Sequence, residues 1–278
     1  MQFAKTNALL LLQITLLAAN PNTVFSTDQD AAERLLAQAQ QEANVIGNDY
    51  LRKTTLQAIA VAEENANNSQ SALRIASEII EQDDRDLTLM EIVEAQVKSN
   101  RISTAFRTAG KIVDETARAA AMESIAVAQL ALGDNTGALQ TANLISVEES
   151  RSGALMHIAI SRAQSGNVIS SIKMAQQIRS HFRRDLALQG ITLIQMKGGD
   201  ILGALTTARL IESRLSRAKV YREIAAAQTR VGRKDETRVW IDGLESPLER
   251  ASALLGAANG LLEEQTIRSE SPCVRNID

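Results

Sequence analysis

Few residues of this 278-residue chain have the type and spacing that chemistry needs. The candidates are His157, His181, Cys273, the adjacent carboxylates Asp83-Asp84 and Glu148-Glu149, and a ladder of arginines. A structural or catalytic zinc needs three or four clustered ligands, and two dispersed histidines with one cysteine do not supply them. A lone cysteine also makes no internal disulfide. No serine stands in a Gly-x-Ser-x-Gly elbow, and Gly198-Gly199 lacks the Lys-Ser/Thr that a phosphate loop carries. The paired carboxylates sit where hairpins are expected to end and read as solvated charge. His157 falls in a column with Ala58, Glu91, Ser124, Gly190 and Glu223, which predicts a surface histidine. His181 lies among Arg179, Arg183 and Arg184, an anion-binding spot or, the stronger reading, a helix-terminus charge cluster. No catalytic, cofactor-binding or metal site is expected, and the chain reads as a non-enzyme.

The arginine ladder leads to the elements beneath it. Arg52, Arg85, Arg118, Arg151, Arg184, Arg217 and Arg250 recur every 33 residues. With the same period run Ile59, Ile92, Ile125, Ile158, Ile191 and Ile224, and the polar column Glu63, Gln96, Gln129, Arg162, Gln195 and Gln228. A period kept without insertion means stacked copies of one supersecondary unit. The copy from Ala119 to Arg151 shows two short helices. Met122, Ile125, Ala126 and Leu130 mark the first, and Ala138, Leu139, Ala142 and Ile145 the second. Between them stands a column of Asn67, Asn100, Gly133, Gly166, Gly199 and Gly232, the residue types that tolerate the left-handed backbone ending a helix. Of the residues that follow, Asn68, Asp134, Asn167 and Asp200 are expected to cap the second helix. Ala76, Ala109, Ala142, Ala175 and Ala208 keep helix axes close. Each arginine is expected just after a second helix, binding its free carbonyls.

These positions resemble the tetratricopeptide repeat. Ala126 stands at the family's small first-helix position, Gly133 at its inter-helix glycine and Ala138 at its small second-helix position; the likeness spans about Ala39 to Leu262. The period is 33 rather than 34 residues, Gln129 and Ala142 replace aromatic positions, and Ser150 replaces the terminal proline. The resemblance implies an all-α, right-handed α-solenoid of about six helix-turn-helix repeats with half-repeat caps at both ends. It also implies a concave face of first helices carrying a protein-binding groove of Leu87, Met90, Val97, Val127, Leu130, Met156, Ile160, Leu186, Leu193 and Met196. Packing between adjacent first helices is the other reading of these residues. Gln57 and Val61 occupy two places of the set that clamps chaperone carboxylates in some family members, so that clamp is not expected.

In chain order, residues 1–26 read as a signal peptide. Lys5 precedes the apolar run Ala8–Ala19, and cleavage is expected near Ser26. A helix from about Asp28 to Ile46 opens the array as a leading half-repeat. Six hairpins follow at about 53–85, 86–118, 119–151, 152–184, 185–217 and 218–250. The last is degenerate and carries the only tryptophan, Trp240. Residues 27–264 make the solenoid, and 265–278 a mobile tail. With 30 basic and 33 acidic residues and no basic patch, nucleic-acid binding is not expected. An apolar run of about a dozen residues is short of the ~20 a membrane span needs, so stable membrane insertion of the mature chain is not expected either. The expected function is a periplasmic or secreted adaptor that binds a protein or peptide partner. The alternative is a receptor for a small ligand or cell-wall glycan.

Overall fold

The computed structural model describes the backbone of residues 21–270 and the side chains of residues 28–263. Residues 1–20 of the expected signal segment, the tail after Glu270 and Cys273 lie outside the described residues. Within them are fourteen α-helices and no strand, packed as a solenoid of neighbouring pairs. Helix α1 (Pro21–Asn44) leads. The hairpins are α2 (Asp49–Asn65) with α3 (Ser69–Ser77), α4 (Gln82–Lys98) with α5 (Ile102–Ala109), and α6 (Glu115–Ala131) with α7 (Asn135–Leu144). They continue as α8 (Glu148–Gln164) with α9 (Val168–Gln177), α10 (His181–Lys197) with α11 (Ile201–Ala208), and α12 (Arg214–Arg230) with α13 (Lys234–Asp242). Helix α14 (Pro247–Glu270) closes the array.

Successive first helices start 33 residues apart, four residues upstream of the frame expected from sequence. Segments such as Gln82-Asp83-Asp84 look like loop by composition. Acidic side chains are favourable in a first helical turn, where they face the positive end of the helix dipole. Two ends also differ from expectation. Helix α1 starts at Pro21 rather than Asp28, a residue type tolerated in a first turn because its missing N–H is unpaired there anyway. The backbone of residues 265–270, expected as tail, continues α14.

The turn column behaves as its residue types require. Asn67, Asn100, Gly133, Gly166, Gly199 and Gly232 all have positive φ, between 57° and 84°. Each first helix ends in the same bond pair: Asp200 N–H donates to Gln195 O (2.9 Å) and Gly199 N–H to Met196 O (3.0 Å). That pattern satisfies two of the orphan carbonyls at a helix C-terminus. Capping of the second helices is narrower than expected. Asp134 accepts from Gly137 N–H (2.8 Å) and Asp200 from Gly203 N–H (2.9 Å), whereas Asn68 and Asn167 make no cap bond. Asn68 instead donates to the Glu63 carboxylate (3.1 Å).

Two compact units divide the chain, residues 1–125 and 126–278. In the first, Ile59, Ile75, Ile79, Ile92 and Ile112 pack with Ala72, Ala76, Ala105 and Ala109. In the second, Ile178, Leu188, Ile191, Ile211 and Ile224 pack with Ala175, Ala204 and Ala208. Burying such a side chain stabilises by about 1.5–3 kcal/mol, and the alanines set the close spacing that makes the burial complete.

The arginine ladder sits at the fourth residue of each first helix, not just after the preceding second helix. From there five of the seven guanidinium groups reach back six residues. Arg85 donates to Ile79 O (2.7 Å), Arg118 to Ile112 O (3.0 Å), Arg151 to Ile145 O (3.3 Å), Arg184 to Ile178 O (3.1 Å) and Arg217 to Ile211 O (2.5 Å). These isoleucines close the second helices and are fully buried, so the charge satisfies a carbonyl that water does not reach easily. A second staple links neighbouring hairpins. In the first unit, Asp86 accepts from the N–H groups of Val113 (3.0 Å) and Asp114 (2.7 Å). In the second, Asp185 accepts from those of Glu212 and Ser213 (both 2.9 Å). Helices α12 and α14 meet by backbone contact. Gly256 and Gly260 lie against the backbone of Arg222 and Ala226, where a side chain would collide with the carbonyl oxygens.

Candidate functional site

The buried polar groups are where chemistry would be kept, and each of the principal ones is bound within a hairpin or between neighbouring ones. Glu64 is fully buried at the end of α2. Its carboxylate accepts from Arg101 (2.6 Å), Gln96 Nε2 (3.0 Å) and Ser69 Oγ (2.9 Å). Arg101 also bonds Glu64 O and Asn67 Oδ1, so both partners of this buried pair are multiply satisfied. A buried charge persists only under such compensation.

The glutamine column has a structural use that spacing could have revealed. Gln129 Oε1 accepts from Thr141 Oγ1, and Gln195 Oε1 from Thr207 Oγ1, each twelve residues on and each at 2.7 Å. Gln195 Nε2 donates to the capping Asp200 (3.1 Å). This arrangement occupies the space above Gly137 and Gly203, which is why no side chain fits at those positions. In the last hairpin Trp240 replaces that threonine, and its indole N–H donates to Gln228 Oε1 (2.6 Å). In the second hairpin the clasp is open: Gln96 turns to Glu64, and Gln96 Oε1 and Thr108 Oγ1, both buried, have no hydrogen-bond partner.

The expected groove residues are distributed between packing and exposure. In the first unit Leu87 is 52% exposed, while Met90 and Val97 are half-buried against the core. In the second, Val127 and Leu130 are half-buried and Leu193 is 38% exposed. Ile160, Leu186 and Met196 pack against the core, and Met156 is buried in it. Ile160 lies over Gly190 of the next first helix, where an added methyl carbon would come within 2.9 Å of it.

His157 is half-buried rather than exposed, and that burial, with Arg183 nearby, holds its pKa below the ordinary value. His181 begins α10, an N-terminus rather than the C-terminus that would welcome a cation. Its ring nitrogen Nδ1 meets Glu212 (2.5 Å), and Arg184 bonds the same carboxylate. That His181 hydrogen bond is the main reason the Glu212 carboxyl lies below its usual range. Arg183 in turn pairs with Glu149 (2.7 Å) and lowers its pKa. The basic spot is therefore paired with acids. Among the described residues no group of three or more His, Cys, Asp or Glu is placed to hold a metal ion. None of the described helices is long and apolar enough to cross a membrane.

One feature has no counterpart in the sequence reading. Between the turn after α11 and the turn before α14 lies a cleft of about 650 Å³. Tyr221 and Trp240 face one another there, ring centroids 5.6 Å apart and planes inclined at 49°, with Arg209, Arg214 and Arg217 on the lining. Burial first, then Glu249, raises the Tyr221 phenol pKa, against the pull of Arg217 and Arg209. Comparison of the chain with known protein families, with curated proteins and with solved structures finds no match in any of the three.

Proposed function

We propose that this chain is a non-enzymatic adaptor, a tetratricopeptide-like array that binds a protein segment through apolar side chains of its first helices. The observation that carries this reading is the internal use of its buried polar groups. Glu64, Asp86 and Asp185 each tie one hairpin to the next, and Gln195 ties the two helices of its own hairpin. What faces outward on first helices includes apolar side chains such as Leu87 and Leu193. Exposed apolar positions with a polar surround are what a protein-binding surface offers, and methionines such as Met90 and Met196 suit adaptable contacts. Export accompanies this reading, with residues 1–26 removed as a signal peptide; sequencing the protein recovered from its host would then start at Thr27.

The test uses Leu87→Ser and Leu193→Ser, made separately in the full chain. Both side chains are exposed, so helicity by circular dichroism should be kept. A protein captured by the wild type from an envelope extract and lost with either variant supports the adaptor. Retention by both variants would remove these first-helix positions from the binding surface. A second reading, a receptor for a small ligand, is favoured by one specific observation, the aromatic cleft of the last hairpin.

A further inference from the structure

The cleft beside Trp240 has a built-in reference, because the same cleft recurs two repeats earlier in the same unit. There it is about 540 Å³, and its eight lining residues each stand 66 positions upstream of one that lines the larger cleft. Between the two copies Asn143 becomes Arg209, Glu148 becomes Arg214, Leu155 becomes Tyr221 and Met174 becomes Trp240. Gln177 becomes Gly243, which removes a side chain from the lining. Leu139 and Arg151 keep their types as Leu205 and Arg217. The two positions that hold the frame are unchanged; the others gain Arg209, Arg214 and two aromatic rings, while Arg179 becomes Glu245 and exchanges a cation for a carboxylate.

Charge pairing differs in the same way. In the upstream copy Glu148 pairs with Arg151 and with Arg179 (3.7 Å). In the intervening copy Glu212 pairs with Arg184 and His181. In the last copy Arg217 is taken by Glu249 (2.7 Å) and Ile211 O, while Arg209 and Arg214 have no carboxylate partner among the described residues. Glu245, the other carboxylate on the lining, is likewise outside any ion pair there, which leaves the cleft with one positive charge in excess. The ring of Trp240 is held in place by its bond to Gln228 and by Tyr221, so its orientation is set before anything binds. The cleft has the several hundred cubic ångströms of a small-molecule site, with one aromatic face in a lining that is otherwise mostly polar and rich in arginine. Guanidinium groups match carboxylate and phosphate oxygens in pairs.

We infer that this cleft binds a molecule with a planar apolar body and one oxyanion, a carboxylate or phosphate. The body lies against Trp240, which the buried Tyr221 ring backs from the core side, and the oxyanion meets Arg209 and Arg214. This goes beyond the adaptor reading and does not depend on it, since none of these residues belongs to the proposed first-helix surface.

Trp240 is the only tryptophan, so its fluorescence reports on the cleft alone. The probes are benzoate and phenyl phosphate, with acetate and inorganic phosphate as bodiless anions. A third probe is an acetylated tripeptide ending in phenylalanine, as free acid and as amide. The expected result is a saturable fluorescence change in the full chain with benzoate or phenyl phosphate, weakened at least about tenfold in Arg209→Gln/Arg214→Gln. A stronger response to the peptide acid than to benzoate, absent for the amide, would assign the oxyanion to a chain terminus; the reverse order would assign it to a free small molecule. Both arginines are exposed, and circular dichroism checks that the variant is folded. The indole N–H resonance of Trp240, followed by NMR in the wild type, gives a second readout. No saturable response to any probe up to about 10 mM, or equal affinity in the folded variant, overturns the inference.

Discussion

Gly256 lies against the backbone carbonyl of Arg222 so closely that a methyl group on it would overlap the oxygen. Gly260 repeats the approach one turn later against Ala226. The last helix is therefore seated on α12 by backbone contact, and its glycines are there for proximity, not for turning. Gly256→Ala is expected to destabilise by about 3 kcal/mol, since a backbone must move to admit it. Gly133→Ala meets open space and should cost about 1 kcal/mol, from its positive φ alone. Urea unfolding of the two variants checks the order, and equal costs would remove the contact argument.

The open clasp in the second hairpin gives a paired prediction. Thr207 donates to Gln195, and its replacement by valine should cost about 1–2 kcal/mol, because the glutamine oxygen is left buried and unpaired. Thr108 has no partner to lose, so Thr108→Val should be neutral or stabilising. Chemical denaturation of both variants decides it; an equal loss at both positions would show that Thr108 is bonded after all.

Among the arginines, the bond to the preceding helix end should separate strong positions from weak ones. Arg118→Ala leaves the Ile112 carbonyl unsatisfied and is expected to cost about 2 kcal/mol. Arg52 pairs only with exposed Asp49 of its own helix, and Arg52→Ala should cost about 0.5 kcal/mol or less. The comparison is read from unfolding midpoints at one pH and salt concentration.

His157 makes stability depend on pH in a known direction. Its folded-state pKa lies below the 6.5 of the unfolded chain, chiefly through burial, so the folded state resists protonation. Its contribution is intact above pH 6.5 and declines as the pH falls from there through the folded value. His157→Leu should therefore lose less stability than the wild type between pH 7.5 and pH 5. An identical pH profile in the two proteins would show that His157 protonates as freely folded as unfolded.

How far the sequence disclosed these features depends on whether one residue or two were needed to see them. The isoleucine, alanine and Gly/Asn columns were legible because each answers to burial or to backbone geometry at a single position. The glutamine column was not, because its meaning lies in a threonine twelve residues away, a spacing visible in Gln129 with Thr141 and Gln195 with Thr207. Trp240 stood out as the only tryptophan, yet its bond to Gln228 and its ring contact with Tyr221 required the fold. The Gly256-to-Gly260 spacing stands in plain view in the closing half-repeat, but the backbone approach it permits required the fold. The groove positions were the least legible. Side-chain direction decides between packing and exposure, and the structure places Leu87 outside but Met156 inside.

The side-chain bonds that tie one hairpin to the next span between 26 and 38 residues of chain. Asp86 and Asp185 find their partners within that reach, and the arginine ladder works at six. A chain emerging end-first, from a ribosome or a translocation pore, thus meets the polar partners of each hairpin within about one further repeat. Assembly can proceed as a wave that follows synthesis, with little sequence held waiting behind it and correspondingly little apolar surface left open to a passing neighbour.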